Sequence, residues 1–165
     1  MPKIKRSQGR LLHKWSLVCT GVSVDINSNN ATLFNVISQI NASRKGLISV
    51  SASKEKNEDG VEFAIPIQFV LISTWKNLDK GRDISADILI KVVDPAGVER
   101  EAGKFQIKIL AGKKYARTMI QWSGIRVTKS GEYTFRLFKK ELNEGKYGFV
   151  GDVDIDVLIE NDAIV

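Results

Sequence analysis

Apolar residues recur at every second position along most of this chain, the spacing of strands that bury one face. From Val61 to Trp75, the residues Val61, Phe63, Ile65, Ile67, Phe69, Leu71 and Trp75 share one face, with Glu62, Gln68, Thr74 and Lys76 on the other. Pro66 interrupts this run and, lacking an amide hydrogen, predicts a sheet edge or a bulge. Ile84, Ala86, Ile88, Ile90 and Val92 define a second strand. It closes at Asp94-Pro95-Ala96-Gly97, a turn in which proline presets φ and glycine permits the return. Alternation predicts further strands at Phe105–Ile109, Tyr115–Trp122 and Tyr133–Leu137. The last strand places Val153, Ile155, Val157 and Ile159 inward and Asp152, Asp154, Asp156 and Glu160 outward.

Trp15–Val24 and Leu33–Ile40 read as a hairpin across the Asx- and Ser-rich run Asp25–Asn30, with a short helix at 33–40 as the alternative for the second arm. Residues 41–60 read as a polar loop around Leu47–Val50. About eight or nine strands, turn signals every ~8–12 residues and no amphipathic helix predict an all-β fold. The expected architecture is a two-sheet antiparallel β-sandwich, immunoglobulin-like or jelly-roll-like, with a closed β-barrel as the alternative. A length of 165 residues fits one domain. The pattern divides it into a basic arm at 1–14, a sandwich at 15–162 and a tail at 163–165.

Composition narrows the chemistry. A single cysteine, Cys19, excludes an internal disulfide. No apolar run follows the charged N-terminus before Leu11, and none is long enough to cross a bilayer, so the expectation is a cytoplasmic protein that does not enter the membrane. The only histidine, His13, lies six residues from Cys19, roughly 20 Å along an extended strand, too far for a nucleophile–base pair. One cysteine and one histidine make no zinc site. Asp152, Asp154 and Asp156 imitate the start of a calcium loop, but the positions that need glycine and glutamate hold Val157 and Ala163. These acids read as a solvated face paired with Lys139 and Lys140. Their spacing, about 6.6 Å along a strand, also falls near the separation of glycosidase carboxylates, with no sugar platform beside it. No phosphate-cradling loop and no Gly-x-Ser-x-Gly elbow occurs. The reading is therefore a chain that is not an enzyme and takes no metal and no cofactor.

Charge points to binding. The net charge is +6, unevenly spread: residues 1–14 carry five basic residues and no acid, 104–140 carry ten against Glu132, and 141–165 carry seven acids against Lys146. Lys113, Lys114, Tyr115, Arg117 and Arg126 interleave cations with an aromatic, as polyanion binders do; Lys3, Lys5, Arg6, Arg10 and Lys14 could extend the contact. A second candidate is apolar: Val70, Ile72, Leu89 and Val93 fall on nominally outward faces. They mark either strands buried on both sides or a patch that meets another chain. The C-terminal Ala163-Ile164-Val165 could also add to a neighbouring sheet edge.

Leu17-Val18-Cys19 before a hairpin, the Asp94-Pro95-x-Gly97 turn, Gly131-x-Tyr133-x-Phe135-x-Leu137 and the closing alternating strand together resemble a group of small bacterial β-sandwich proteins. The resemblance spans roughly residues 15–160 and implies a fold, without functional residues. The leading expectation is a non-catalytic interaction module that binds a protein partner or self-associates through a sheet face or edge. Nucleic-acid or other polyanion binding through residues 104–126 and the N-terminal arm is the alternative, and a carbohydrate role ranks third.

Overall fold

The computed structural model describes residues 10–25, 27–28, 30–49, 62–142 and 144–160. These contain twelve strands in three hydrogen-bonded sets. The first set is four-stranded and antiparallel: β1 (Leu11–Val24), β2 (Ala31–Val36), β6 (Phe69–Asn77) and β9 (Tyr115–Trp122), in the order β2-β1-β6-β9. The second is five-stranded: β3 (Gln39–Ser43), β7 (Ile84–Val93), β8 (Glu99–Ile109), β11 (Gly131–Glu141) and β12 (Gly148–Glu160), in the order β3-β12-β11-β7-β8. Its one parallel pair is β3 with β12. Three short strands, β4 (Ile48–Ser49), β5 (Phe63–Ile65) and β10 (Ile125–Val127), form the third set in the order β10-β5-β4.

The two larger sheets pack face to face. Val18, Leu71 and Trp75 meet Ile88, Ile90, Phe135, Leu137, Ile155 and Val157 in one core. Phe69 of the first sheet and Phe135 of the second meet edge-on, with ring centroids 5.9 Å apart. Large buried rings such as Trp75 and Phe135 each hold about 3–5 kcal/mol against truncation to alanine.

The expected hairpin is present, but its second arm ends at Val36. Asn35 takes φ +46°, and the chain crosses at Ile37–Ser38 to the other sheet, where β3 pairs with β12. The expected run Val61–Trp75, of which Val61 lies outside the described residues, likewise divides at Pro66, with β5 in the small sheet and β6 in the four-stranded one. Two turns meet at one end. The Asp94–Gly97 turn closes by a hydrogen bond from Gly97 N to Asp94 O (2.8 Å), with Gly97 at φ +83°. Opposite it, the Tyr133 hydroxyl donates to Lys129 O (2.9 Å) and accepts from Thr128 N (2.9 Å), the tyrosine corner of immunoglobulin-like sandwiches. Gly131 has φ +142°, and a Cβ there would lie 2.8 Å from the Pro95 ring. The Gly131-x-Tyr133 motif is thus the joint between the two turns.

β1 begins at Leu11, so Leu11–Lys14 belong to the sandwich and not to a basic arm. A bulge at Lys14 resets the alternation, which lets His13 and Ser16 both face inward. His13 shares a hydrogen bond with Ser16 (2.7 Å), whose hydroxyl contacts that of Ser73 (2.7 Å), and its ring packs on Trp75. Gly151 makes room for that ring: a Cβ there would approach it to 2.8 Å. Burial holds the His13 pKa below its ordinary value, against the raising effect of backbone hydrogen bonds at Val150 and Trp15.

Lys139 also turns inward. Its ammonium donates to Leu11 O (2.7 Å) and pairs with Glu141 (2.5 Å). The Glu141 carboxylate accepts in turn from the amides of Leu11 (2.9 Å) and Arg10 (3.0 Å), which clamps the start of β1. This corrects the expected pairing of Lys139 and Lys140 with the β12 acids. Lys140 pairs with Asp87, and Asp154 accepts from the Thr134 hydroxyl.

Candidate functional site

The outer face of the four-stranded sheet gathers apolar and cationic groups. Register places Leu17, Ile72 and Met119 side by side across β1, β6 and β9, and Trp15, Thr74 and Arg117 beside them. Lys76 then lies between Leu12 and Tyr115. Tyr115 is 48% exposed and Met119 52%, and Trp15, Leu12 and Leu17 are also open. The four strands contain no aspartate or glutamate. The β1–β2 hairpin supplies Ser28, Ala31 and Leu33 to a cleft of about 540 Å³, whose other wall is Trp15, Leu17, Thr74, Tyr115 and Arg117. The Thr74 hydroxyl is buried there without a hydrogen-bond partner among the described residues. Lys114 holds its ammonium 5.1 Å from the Tyr115 ring centre, a cation–π contact at the rim.

Of the apolar candidates from the sequence, Ile72 is wholly buried, Leu89 and Val93 nearly so, and Val70 is half-buried. Three of the four are thus covered within the chain and present no patch. The reason is their place on central strands: β6 runs between β1 and β9, and β7 between β11 and β8. An outward side chain there is flanked on both sides by same-face neighbours. Beside Ile72 the exposed apolar groups are its cross-strand neighbours, Leu17 and Met119. Sequence reasoning missed them because the Lys14 bulge and the strand order leave no mark in the alternation.

The polyanion candidates are divided. Lys113, Lys114, Tyr115 and Arg117 cluster at one end of the four-stranded sheet. Arg126 lies on β10, past the far end of β9 and roughly 25 Å of strand away. There it approaches Glu62 at 3.9 Å, and the same carboxylate holds Arg100. Lys104 and Lys108 pair with Glu101 and Asp83. Arg10 reaches Asp79 at 3.8 Å, whereas Lys3, Lys5, Arg6 and Ala163–Val165 lie outside the described residues.

A second hollow runs along the seam between β8 and β9. One cleft of about 350 Å³ is lined by Val98, Arg100, Trp122, Ile125, Arg126 and Phe135 among others. A smaller one of about 190 Å³ lies between Ile90, Gly103, Phe105 and Ile120. Ala102 and Trp122 line both.

Cys19 is buried on the outward side of β1, away from His13, and burial raises its thiol pKa. Among the described residues no three His, Cys, Asp or Glu side chains gather as metal ligands do, and no helix is long and apolar enough to cross a membrane.

No family model matches this sequence, and no curated protein does. Solved structures that resemble the fold include the following three. An alkylpurine DNA glycosylase of Pseudomonas fluorescens, bound to DNA containing an abasic-site analogue, matches at 10% identity with a TM-score of 0.48. That match covers 91% of this chain but spans only 31% of the glycosylase. A CARDB domain of Pyrococcus furiosus, in complex with di-metal ions, matches at 12% identity over 90% of this chain and 96% of its own (TM-score 0.40). An immunoglobulin-like protein of Pseudomonas aeruginosa matches at 14% identity over 92% and 98% (TM-score 0.31). The likeness concerns fold alone.

Proposed function

We propose that this chain is a non-catalytic interaction module that binds a protein partner through the outer face of its four-stranded sheet. The observation that carries this reading is an open apolar floor, Trp15, Leu17, Tyr115 and Met119, rimmed by Lys76, Lys113, Lys114 and Arg117 on a sheet whose strands hold no carboxylate. Burying such a floor supplies affinity, and the rim selects a partner with acidic flanks. A second copy of the chain fits poorly, because two such faces would oppose cations to cations. The division of the basic stretch favours a protein over a nucleic acid: Arg126 and Arg100 share Glu62 at the far end, so no continuous cationic track runs from residue 104 to 126.

The test is affinity capture from host lysate after nuclease treatment, with wild type beside a Leu17→Glu/Met119→Glu variant. A protein held by wild type and lost by the variant supports the face. Bound material that disappears with nuclease, or steeply with salt, replaces it with the polyanion reading. Equal capture by both forms removes the face from consideration.

A further inference from the structure

Resting on that reading, we infer that the partner docks as an extended segment that adds to the edge of β9 that no other described strand pairs, with alternate side chains seated in the seam between β9 and β8. The two large sheets have four edges, and three are blunted in ways that discourage strand addition. β2 is six residues long and carries the left-handed Asn35. β3 has five residues. β8 carries five charges, Glu99, Arg100, Glu101, Lys104 and Lys108, and a bulge at Ala102. β9 has none of these devices: its eight residues include one charge, Arg117, no proline, and an unbroken register with β6.

Along this same edge the sandwich is hollow. The two seam clefts open beside Ile120 and Trp122. A strand laid beside β9 would send every second side chain into that seam, where apolar groups fit against Ala102, Phe105 and Trp122. The alternate set would stand on the outer face beside Tyr115, Arg117 and Met119, on a sheet whose strands carry cations and no carboxylate, which favours Asp or Glu in that set. The ligand class is therefore an extended peptide in which apolar residues alternate with acidic or apolar ones.

The experiment uses the full chain and a displayed library of random twelve-residue peptides. An enriched peptide is synthesised unmodified and with N-methyl amides on its odd or its even residues. A strand added to an edge commits only alternate amides to the ladder, so one methylated set should weaken binding by about tenfold or more and the other should spare it. Hydrogen exchange should show alternate amides between Ala116 and Gln121 gaining protection on binding, with β8 unchanged. No enriched peptide, equal effects of both methylated sets, or protection elsewhere overturns the inference. Leu17→Glu separates the two readings. Loss of binding in that variant without the alternating N-methyl pattern keeps the face and rejects the edge. The alternating pattern without sensitivity to Leu17 keeps the edge and rejects the face.

Discussion

The two large sheets turn opposite kinds of surface outward. The five-stranded sheet mixes both signs of charge: Lys91 and Arg136 share Glu99, Lys140 meets Asp87, Lys104 meets Glu101, and β12 adds Asp152, Asp154, Asp156 and Glu160. The strands of the four-stranded sheet carry lysine, arginine and exposed rings and no acid. Both sheets bury the same kind of inner face, so the core does not explain the difference. A surface of mixed charge favours staying in water, whereas one with a single sign of charge around apolar side chains gains when a complementary surface covers it.

The contrast predicts that charge holds the fold on one side and recognition on the other. The largest effect belongs to Glu141→Ala, which leaves the inward Lys139 without its carboxylate and frees two amides at the start of β1. It should cost about 3 kcal/mol in a urea titration. A loss no larger than that of an exposed pair would break the comparison at its strongest point.

Acid should act next. Burial tends to raise the Glu141 pKa, but hydrogen bonds from Lys139 and from the Leu11 and Arg10 amides outweigh it and leave the group below its ordinary 4.5. Its contribution is complete above that value and is lost as pH falls through the folded one. His13 is held below its ordinary 6.5 chiefly by burial, so the unfolded chain takes up that proton more readily, and stability already declines as pH drops beneath 6.5. Melting temperatures from pH 8 to 4 should fall in two stages, and His13→Gln should flatten the first. A stability flat to pH 5 in wild type would contradict the His13 part.

The smallest effect is expected on the four-stranded side. Leu17→Glu, on an open face, should shift stability by no more than about 0.5 kcal/mol while it removes partner binding. A large destabilisation would show that Leu17 serves the fold.

Alternation made much of this architecture legible. The strand at Ile84–Val93, the Asp152–Glu160 part of β12, the Asp94–Gly97 turn and the first arm of the hairpin lie where period-two reading puts them. What alternation reports is a local face, never the sheet to which a strand belongs. It therefore runs unbroken across Ile37–Ser38 and across Pro66, where the chain changes sheets. It also gives the parity of Ile72 without its neighbours, and those neighbours decide exposure. Lys139 was open to the same logic: the Tyr133, Phe135, Leu137 series carried one step further points it inward. Its charge argued for solvent, and the partner that overrides that preference, Glu141, lies two residues on and recruits backbone from the far end of the chain.

That clamp has a consequence for the order of events during synthesis. The Leu11 amide and the Glu141 carboxylate that receives it are 130 residues apart. At ribosomal rates of ~5–20 residues per second, the first strand waits on the order of ten seconds for the group that secures its end. During that interval β1 can zip onto β6, but its leading turn, with Leu11 destined for the core, stays undocked. Completion of the fold is thus set by the arrival of β11, and chains truncated before residue 141 should be conspicuous to chaperones and proteases at β1.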